Sequence, residues 1–340
     1  MKKHKIIFLA THQWQIDELW EPKAKKIVNN YAFDVEVHLR NELNESEVKQ
    51  VLKYCDGLIT TWGSPICSEK FIKNNAPNLK IIGHAAGSIA NIVDESTYST
   101  DVKIITANQI MAQSVAEWSL LATLLAVRNM GASTAWFGKT KMNFSKAYEM
   151  SDIENSTIGI WGFGDTTKYL LKFLEPLNPG KILVASEHGN REVIAEFGAE
   201  KVSFETVLKE ADVFHALVGL NQQNFERLGT KEFTAMKEGA TFINCGRSRL
   251  TNEAELIEVL KKQRINAILD VFNQEPLGDD SQFYSLSNVI LTPHNAGYPR
   301  RSKFIPFIFE EFARFFNGLR LNSAVSKERF LTMTNEKLKC

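Results

Sequence analysis

The chain has 340 residues, enough for two domains of ordinary size. Its 40 Lys and Arg balance 40 Asp and Glu, and hydrophobic residues are 44% against 24% charged, so a disordered chain, a nucleic-acid partner and a polybasic membrane partner are not expected. The four cysteines, Cys55, Cys67, Cys245 and Cys340, form no CxxC pair, which argues against a disulfide framework or metal site and for a reducing compartment.

The first apolar run, residues 6–10, is shorter than the roughly 7–15 residues of a secretory core. The longest, 118–127, carries Ser119 and Thr123 and falls far short of a span of about 20. A cytoplasmic protein is the expectation. Residues 5–10, 34–39, 57–61, 80–84 and 103–107 read as strands, because short apolar runs without alternation suit strands covered on both faces. Helical stretches between them, as at 45–54 and 68–74, imply right-handed crossovers and a parallel sheet. Residues 112–130 give the strongest helical signal, too apolar for an outer surface. Residues 131–155, with Trp136 and Phe137 among lysines and polar groups, read as a connecting segment. Strands resume at 157–161, 181–185, 213–218, 241–245, 265–271 and 289–292, and a helix at 301–316 precedes a polar tail.

In this second series, the strand at 157–161 runs into Gly162-Phe163-Gly164-Asp165-Thr166-Thr167 and then a helix. A dinucleotide site needs one glycine for a tight turn and another to let a pyrophosphate approach the backbone. Free N–H groups and the positive end of the helix dipole lie beyond. Thr167 stands at the third glycine position, which serves packing and not the anion. The next strand ends in Ser186-Glu187-His188-Gly189-Asn190-Arg191, where an NAD-binding fold usually carries an acid for the ribose 2′-hydroxyl. Ser186 with Arg191 nearby admits a 2′-phosphate, whereas Glu187 opposes one. NAD and NADP both stay open, with a slight lean to NADP.

Three later strand ends carry charge at the carboxyl edge of the sheet, where ligands of open α/β folds bind. They are Asn244-Cys245-Gly246-Arg247, then Leu269-Asp270-Val271-Phe272-Asn273-Gln274-Glu275-Pro276, then Thr292-Pro293-His294-Asn295-Ala296-Gly297. Each charge alone reads as a solvated loop residue; their conjunction at three strand ends does not. The order and spacing resemble the D-isomer-specific 2-hydroxyacid dehydrogenases, of the glyoxylate and hydroxypyruvate reductase kind. Ser114-Val115-Ala116-Glu117-Trp118 and Gly83-His84-Ala85-Ala86-Gly87-Ser88 resemble that family's interdomain helix and substrate loop.

The resemblance implies two Rossmann-like, doubly wound parallel-sheet domains, with the cofactor domain, 109–298, inserted into a flavodoxin-like substrate domain of residues 1–108 and 299–340. It implies NAD(P)-dependent interconversion of a small 2-oxo acid and its D-2-hydroxy acid, and a homodimer with 131–155 near its interface. Arg247 then binds the carboxylate and polarises the carbonyl through its fork of donors. His294 is proton donor and acceptor, because imidazole titrates near working pH, and Glu275 orients it by bonding the other ring nitrogen. Backbone N–H groups of Ala85, Ala86, Gly87 and Ser88 take the substrate carboxylate. Asp270 meets the nicotinamide carboxamide side, Cys245 and Gly246 border the nicotinamide, and Val218 and Gly297 flank the cofactor. Leu217-Val218-Gly219 departs from the family's usual His-x-Pro, and Ala90 stands where an Asp is common. The reading of another class is a dinucleotide-sensing scaffold that keeps the pocket and binds partner proteins. Residues near Trp62-Gly63 and Trp136-Phe137 are the candidates for reading the substrate side chain.

Overall fold

The computed structural model describes residues 3–130 and 151–334. Trp136, Phe137, Cys340 and all but 151–155 of the expected connecting segment therefore lie outside the described residues. The chain divides into two compact units, Met1–Met111 with Tyr298–Cys340, and Ala112–Gly297.

The first unit holds a parallel sheet of five strands, β1 (His4–Ala10), β2 (Phe33–Leu39), β3 (Gly57–Thr60), β4 (Ile81–His84) and β5 (Lys103–Thr106), in the order β2-β1-β3-β4-β5. Alternate residues of β1 serve opposite faces, as the two-residue strand period demands. Ile6, Phe8 and Ala10 join one buried cluster with Phe304, Ile308, Phe309 and Phe312 of the C-terminal helix Phe304–Phe316. Ile7 and Leu9 join another with Val48, Leu52 and Ile72. That double burial is why the strand reads as an unbroken apolar run. The C-terminal helix lies close on the sheet: a Cβ on Gly83 would come 2.5 Å from Ile308 and 2.9 Å from Phe312.

The second unit holds seven parallel strands, β6 (Thr157–Trp161), β7 (Lys181–Ala185), β8 (Glu200–Lys201), β9 (Val213–Ala216), β10 (Thr241–Asn244), β11 (Asn266–Leu269) and β12 (Val289–Leu291), ordered β12-β11-β10-β9-β6-β7-β8. The order reverses direction between β6 and β9, the switch point at which such sheets open a crevice for ligands. Its core joins Ile158, Ile160, Val184, Ile243 and Ile268 to Leu170, Leu171 and Ile194 of the covering helices.

The fold class is as expected, and several bounds are not. The long helix is Asn108–Val127 rather than 112–130. Among the described residues it has the length and composition to cross a membrane, but Ala116, Ala122 and Val127 pack in the second unit's core. A 3-10 turn, Tyr298–Lys303, replaces the first residues of the expected last helix. Part of the expected polar tail carries structure: Ala324 bridges Ile105, Val325 is buried, and Ser326 caps the helix Lys327–Thr332. The two-residue β8 is too short to leave a periodic signal. Cys55, Cys67 and Cys245 are buried free thiols.

Candidate functional site

In the first unit, β3 and β4 are paired with Thr60 beside His84, and the chain turns sharply after β4. Ala85 N–H donates to the Thr60 carbonyl at 2.8 Å, so it is spent on the sheet and does not join the expected carboxylate-binding set. The Thr106 hydroxyl lies 2.8 Å from the Ala86 carbonyl and 2.5 Å from that of Gly87, tying both to the sheet edge. The N–H groups of Ala86, Gly87 and Ser88 have no acceptor among the described residues. Three consecutive N–H groups are thus left available to an anion. His84 is buried behind this loop with Nδ1 3.1 Å from the Thr60 hydroxyl, and burial pushes its pKa down to about 3, so the ring is neutral.

In the second unit, β6 delivers the glycine turn to the start of the helix Asp165–Leu174. Gly162 takes φ +109°, and a Cβ there would sit 2.7 Å from Val218 N and 2.8 Å from the Leu217 carbonyl carbon. Only glycine suits both the backbone angle and the contact with the loop after β9, which places Val218 against the turn. Phe163 and Gly164 N–H groups have no acceptor among the described residues, and Gly164 caps the helix with open space where its Cβ would be. Asp165 and Thr166 form the helix's first turn. Thr167 is fully buried and donates its hydroxyl to the Gly162 carbonyl at 3.0 Å. It braces the turn from below, a compensation for the missing third glycine.

At the end of β7, the Ser186 hydroxyl accepts from Gly189 N–H at 3.0 Å and closes a turn. Glu187 and Arg191 are exposed, Arg191 at the start of the helix Arg191–Glu196. Lys201, which the sequence did not single out, donates to the Gly189 carbonyl at 2.7 Å and adds a cation beside the turn.

The loop after β10 is built on Asn244. Its side chain accepts from Gly246 N–H at 3.0 Å and donates to the Arg247 carbonyl at 3.0 Å. That bracket is the physical content of the Asn-x-x-Arg spacing, whose first residue had no assigned role. Gly246 lies against β9, with its Cβ position 3.1 Å from the Ala216 carbonyl. Arg247 Nη1 donates to the Gly246 carbonyl at 2.8 Å. The Cys245 sulfur lies 3.3 Å from the Ser119 hydroxyl, and burial pushes the thiol up to about 12, so it is no nucleophile.

Glu275 and His294 meet: Glu275 Oε2 is 2.6 Å from His294 Nδ1, and Glu275 Oε1 accepts from Phe272 N–H at 2.9 Å. The pair is partly exposed, with 52% of the His294 side chain and 35% of the Glu275 side chain accessible. Since Nδ1 is committed to the carboxylate, Nε2 is the nitrogen left to exchange a proton with a ligand. His294 adopts a left-handed backbone, φ +50°, unusual outside glycine. Asp270, expected at the nicotinamide, is wholly buried. Its Oδ1 accepts from the Thr292 hydroxyl at 2.5 Å and Asn295 N–H at 3.0 Å, and its Oδ2 from Ala296 N–H at 3.0 Å. Its own chain thus gives the carboxylate three hydrogen bonds, two on Oδ1 and one on Oδ2. Gly297 ends the same turn.

Residues 120–296 match the family model described as D-isomer specific 2-hydroxyacid dehydrogenase, NAD binding domain. A glyoxylate reductase of Thermococcus litoralis is 30% identical over 246 residues, covering 70% of this chain and 73% of that protein. A D-3-phosphoglycerate dehydrogenase of Methanocaldococcus jannaschii is 29% identical over 261 residues, 76% of this chain but only 49% of that protein. A phosphoglycerate oxidoreductase structure from Rhizobium etli superposes with a TM-score of 0.79 at 23% identity, covering 95% of this chain and 99% of that one, a likeness of fold.

Proposed function

The chain belongs to the D-isomer-specific 2-hydroxyacid dehydrogenases, and from that premise we propose that it reduces a small 2-oxo acid, such as glyoxylate or hydroxypyruvate, to the D-2-hydroxy acid. The observation that carries the reading is the 2.6 Å Glu275–His294 pair, in the same unit as a glycine turn with free N–H groups. Those donors, the tight Gly162 turn and the helix start behind them fit a dinucleotide pyrophosphate. When bound, a reduced nicotinamide supplies two electrons and one hydrogen to the carbonyl carbon.

The chain's own residues do the rest. Arg247 binds the substrate carboxylate and draws charge onto the carbonyl oxygen. His294 gives the Nε2 proton to that oxygen as it becomes a hydroxyl, while Glu275 stays ionised on Nδ1 and stabilises the cationic ring before transfer. The free N–H groups of Ala86, Gly87 and Ser88 serve as a carboxylate-binding loop in the first unit.

NADP(H) is the preferred cofactor in this proposal. Support comes from Ser186 in the place of a carboxylate, the exposed Arg191, and Lys201 beside the same turn. A homodimer is proposed because Leu121 and Leu124 of the long helix, with Met130 beyond it, are large exposed apolar side chains. A cytoplasmic location remains part of the proposal.

Absorbance of reduced nicotinamide with a panel of 2-oxo acids tests the activity. His294→Ala should lower turnover by at least about 100-fold, the size of a general-acid effect. Cofactor binding without turnover of any acid would favour the dinucleotide-sensing alternative. Titration with NADPH and NADH tests the cofactor, and a large preference for NADH would overturn that part.

A further inference from the structure

A buried carboxylate whose partners all belong to one turn has a job inside the protein. Asp270 follows β11 and reaches across to the turn after β12, its neighbour in the sheet. There it receives Thr292, Asn295 and Ala296 on both of its oxygens, spanning His294 on either side. His294 N–H adds a bond to the Thr292 carbonyl at 3.1 Å. Within this bracket His294 keeps φ +50°, a conformation uncommon for an L-residue and held here by bonds on both sides. The backbone angle decides where the imidazole leaves the chain, and hence whether Nδ1 can meet Glu275 while Nε2 stays available.

We propose that Asp270 is a positioning residue: it imposes the left-handed turn that aims His294. The proposal rests on the reading of His294 as the proton donor. Its chemistry is that of an ionised acceptor. Two oxygens accept three hydrogens, and a carboxylate alone can do so, because it carries no donor of its own.

An isosteric amide cannot. In Asp270→Asn, an oxygen kept at Thr292 and Asn295 leaves an NH2 facing Ala296 N–H. In the flipped arrangement the NH2 faces Asn295 N–H. Either way two donors oppose each other and one end of the turn is released. The milder Thr292→Val removes one donor, keeps the shape of the side chain and leaves both backbone bonds in place.

The test uses the full-length protein and compares wild type, Asp270→Asn, Thr292→Val and His294→Ala. Three readouts are taken: NAD(P)H affinity by fluorescence titration, kcat with a saturating 2-oxo acid, and the 15N shifts of the His294 ring. The proposal expects Asp270→Asn to bind NAD(P)H within about threefold of wild type. Its kcat should fall by about 100-fold, the cost of displacing a reacting group by about 1 Å. The His294 ring shifts should lose the signature of a bonded Nδ1–H. Thr292→Val should move kcat and ring shifts the same way by a smaller amount, and it decides the matter if the asparagine variant does not fold.

A loss confined to NAD(P)H affinity, with kcat and ring shifts unchanged, would overturn the proposal and return Asp270 to the cofactor. Retained activity in His294→Ala would instead overturn the proton-donor reading. Unchanged kcat in the Asp270 and Thr292 variants beside an inactive His294→Ala would sink the positioning role alone.

Discussion

Replacing Glu275 by glutamine keeps the size of the side chain and removes its charge. The carboxylate serves two partners, His294 Nδ1 at 2.6 Å and Phe272 N–H at 2.9 Å. A glutamine has one acceptor oxygen. Placed on His294, it leaves the NH2 opposing Phe272 N–H; turned about, the NH2 faces Nδ1 and selects the opposite tautomer, which cannot carry a proton on both nitrogens. A hydrogen bond to a charged group is worth about 1.5–3 kcal/mol, and the partial exposure of this pair puts the loss at the lower end, about 1.5–2 kcal/mol. At 1.36 kcal/mol per tenfold, kcat should fall by roughly 10- to 30-fold. Steady-state reduction of glyoxylate at saturating cofactor, followed at the reduced-nicotinamide band, measures it. A kcat within twofold of wild type, or a loss expressed only in the KM for NAD(P)H, would refute the assignment of Glu275 as the partner of the proton donor.

Acid sensitivity follows from two histidines that no reaction uses. Burial lowers His84 and His215 from 6.5 to about 3, so below about pH 6.5 the unfolded chain takes up protons that the folded chain refuses. Stability should therefore fall as pH drops from about 6.5 towards 3, by up to about 1.4 kcal/mol per pH unit for each histidine. His215 Nε2 has a single partner, the Thr123 hydroxyl at 2.9 Å, and its Nδ1 is buried without one among the described residues. Urea midpoints that stay level between pH 7 and 5 would contradict this. Gly162→Ala sets a Cβ against Val218 N at 2.7 Å with φ at +109°. Strain of about 1–3 kcal/mol at the turn should weaken NAD(P)H binding by about 10-fold or more, and wild-type affinity in a fluorescence titration would count against the phosphate loop.

What could be read from the sequence follows from how many atoms each signal involves. A strand buried on both faces declares itself over five or six residues, and β1, β6 and β7 were legible for that reason. Two-residue β8 and the capped helix Lys327–Thr332 involve too few apolar positions to form a pattern. The contact of Glu275 with His294 was expected because a carboxylate and an imidazole at neighbouring strand ends have complementary chemistry. The partners of Asp270 were hidden, because two of its three bonds go to backbone N–H groups, which every residue carries and no sequence displays. The same blindness concealed Ala85, whose N–H is spent on Thr60, and Asn244, whose bracket runs through backbone atoms at both ends.

Once those backbone bonds are included, the stretch from Asp270 to Glu275 acquires a single purpose. From the sequence, its two acids have separate partners, one the cofactor and the other the imidazole. In the fold both converge on His294. Glu275 holds the ring at Nδ1, and Asp270 holds the main chain on either side of the same residue. Neither suffices alone: a ring bonded at Nδ1 but hung from a loose turn has no fixed Nε2, and a rigid turn without Glu275 leaves the tautomer free. Four residues of loop between the two acids let one reach inward to a buried turn while the other stays 35% exposed beside the imidazole. Loss of either acid should therefore appear in kcat before it appears in cofactor affinity, and the double variant Asp270→Asn/Glu275→Gln should cost less than the product of the two single losses, because both act through one side chain.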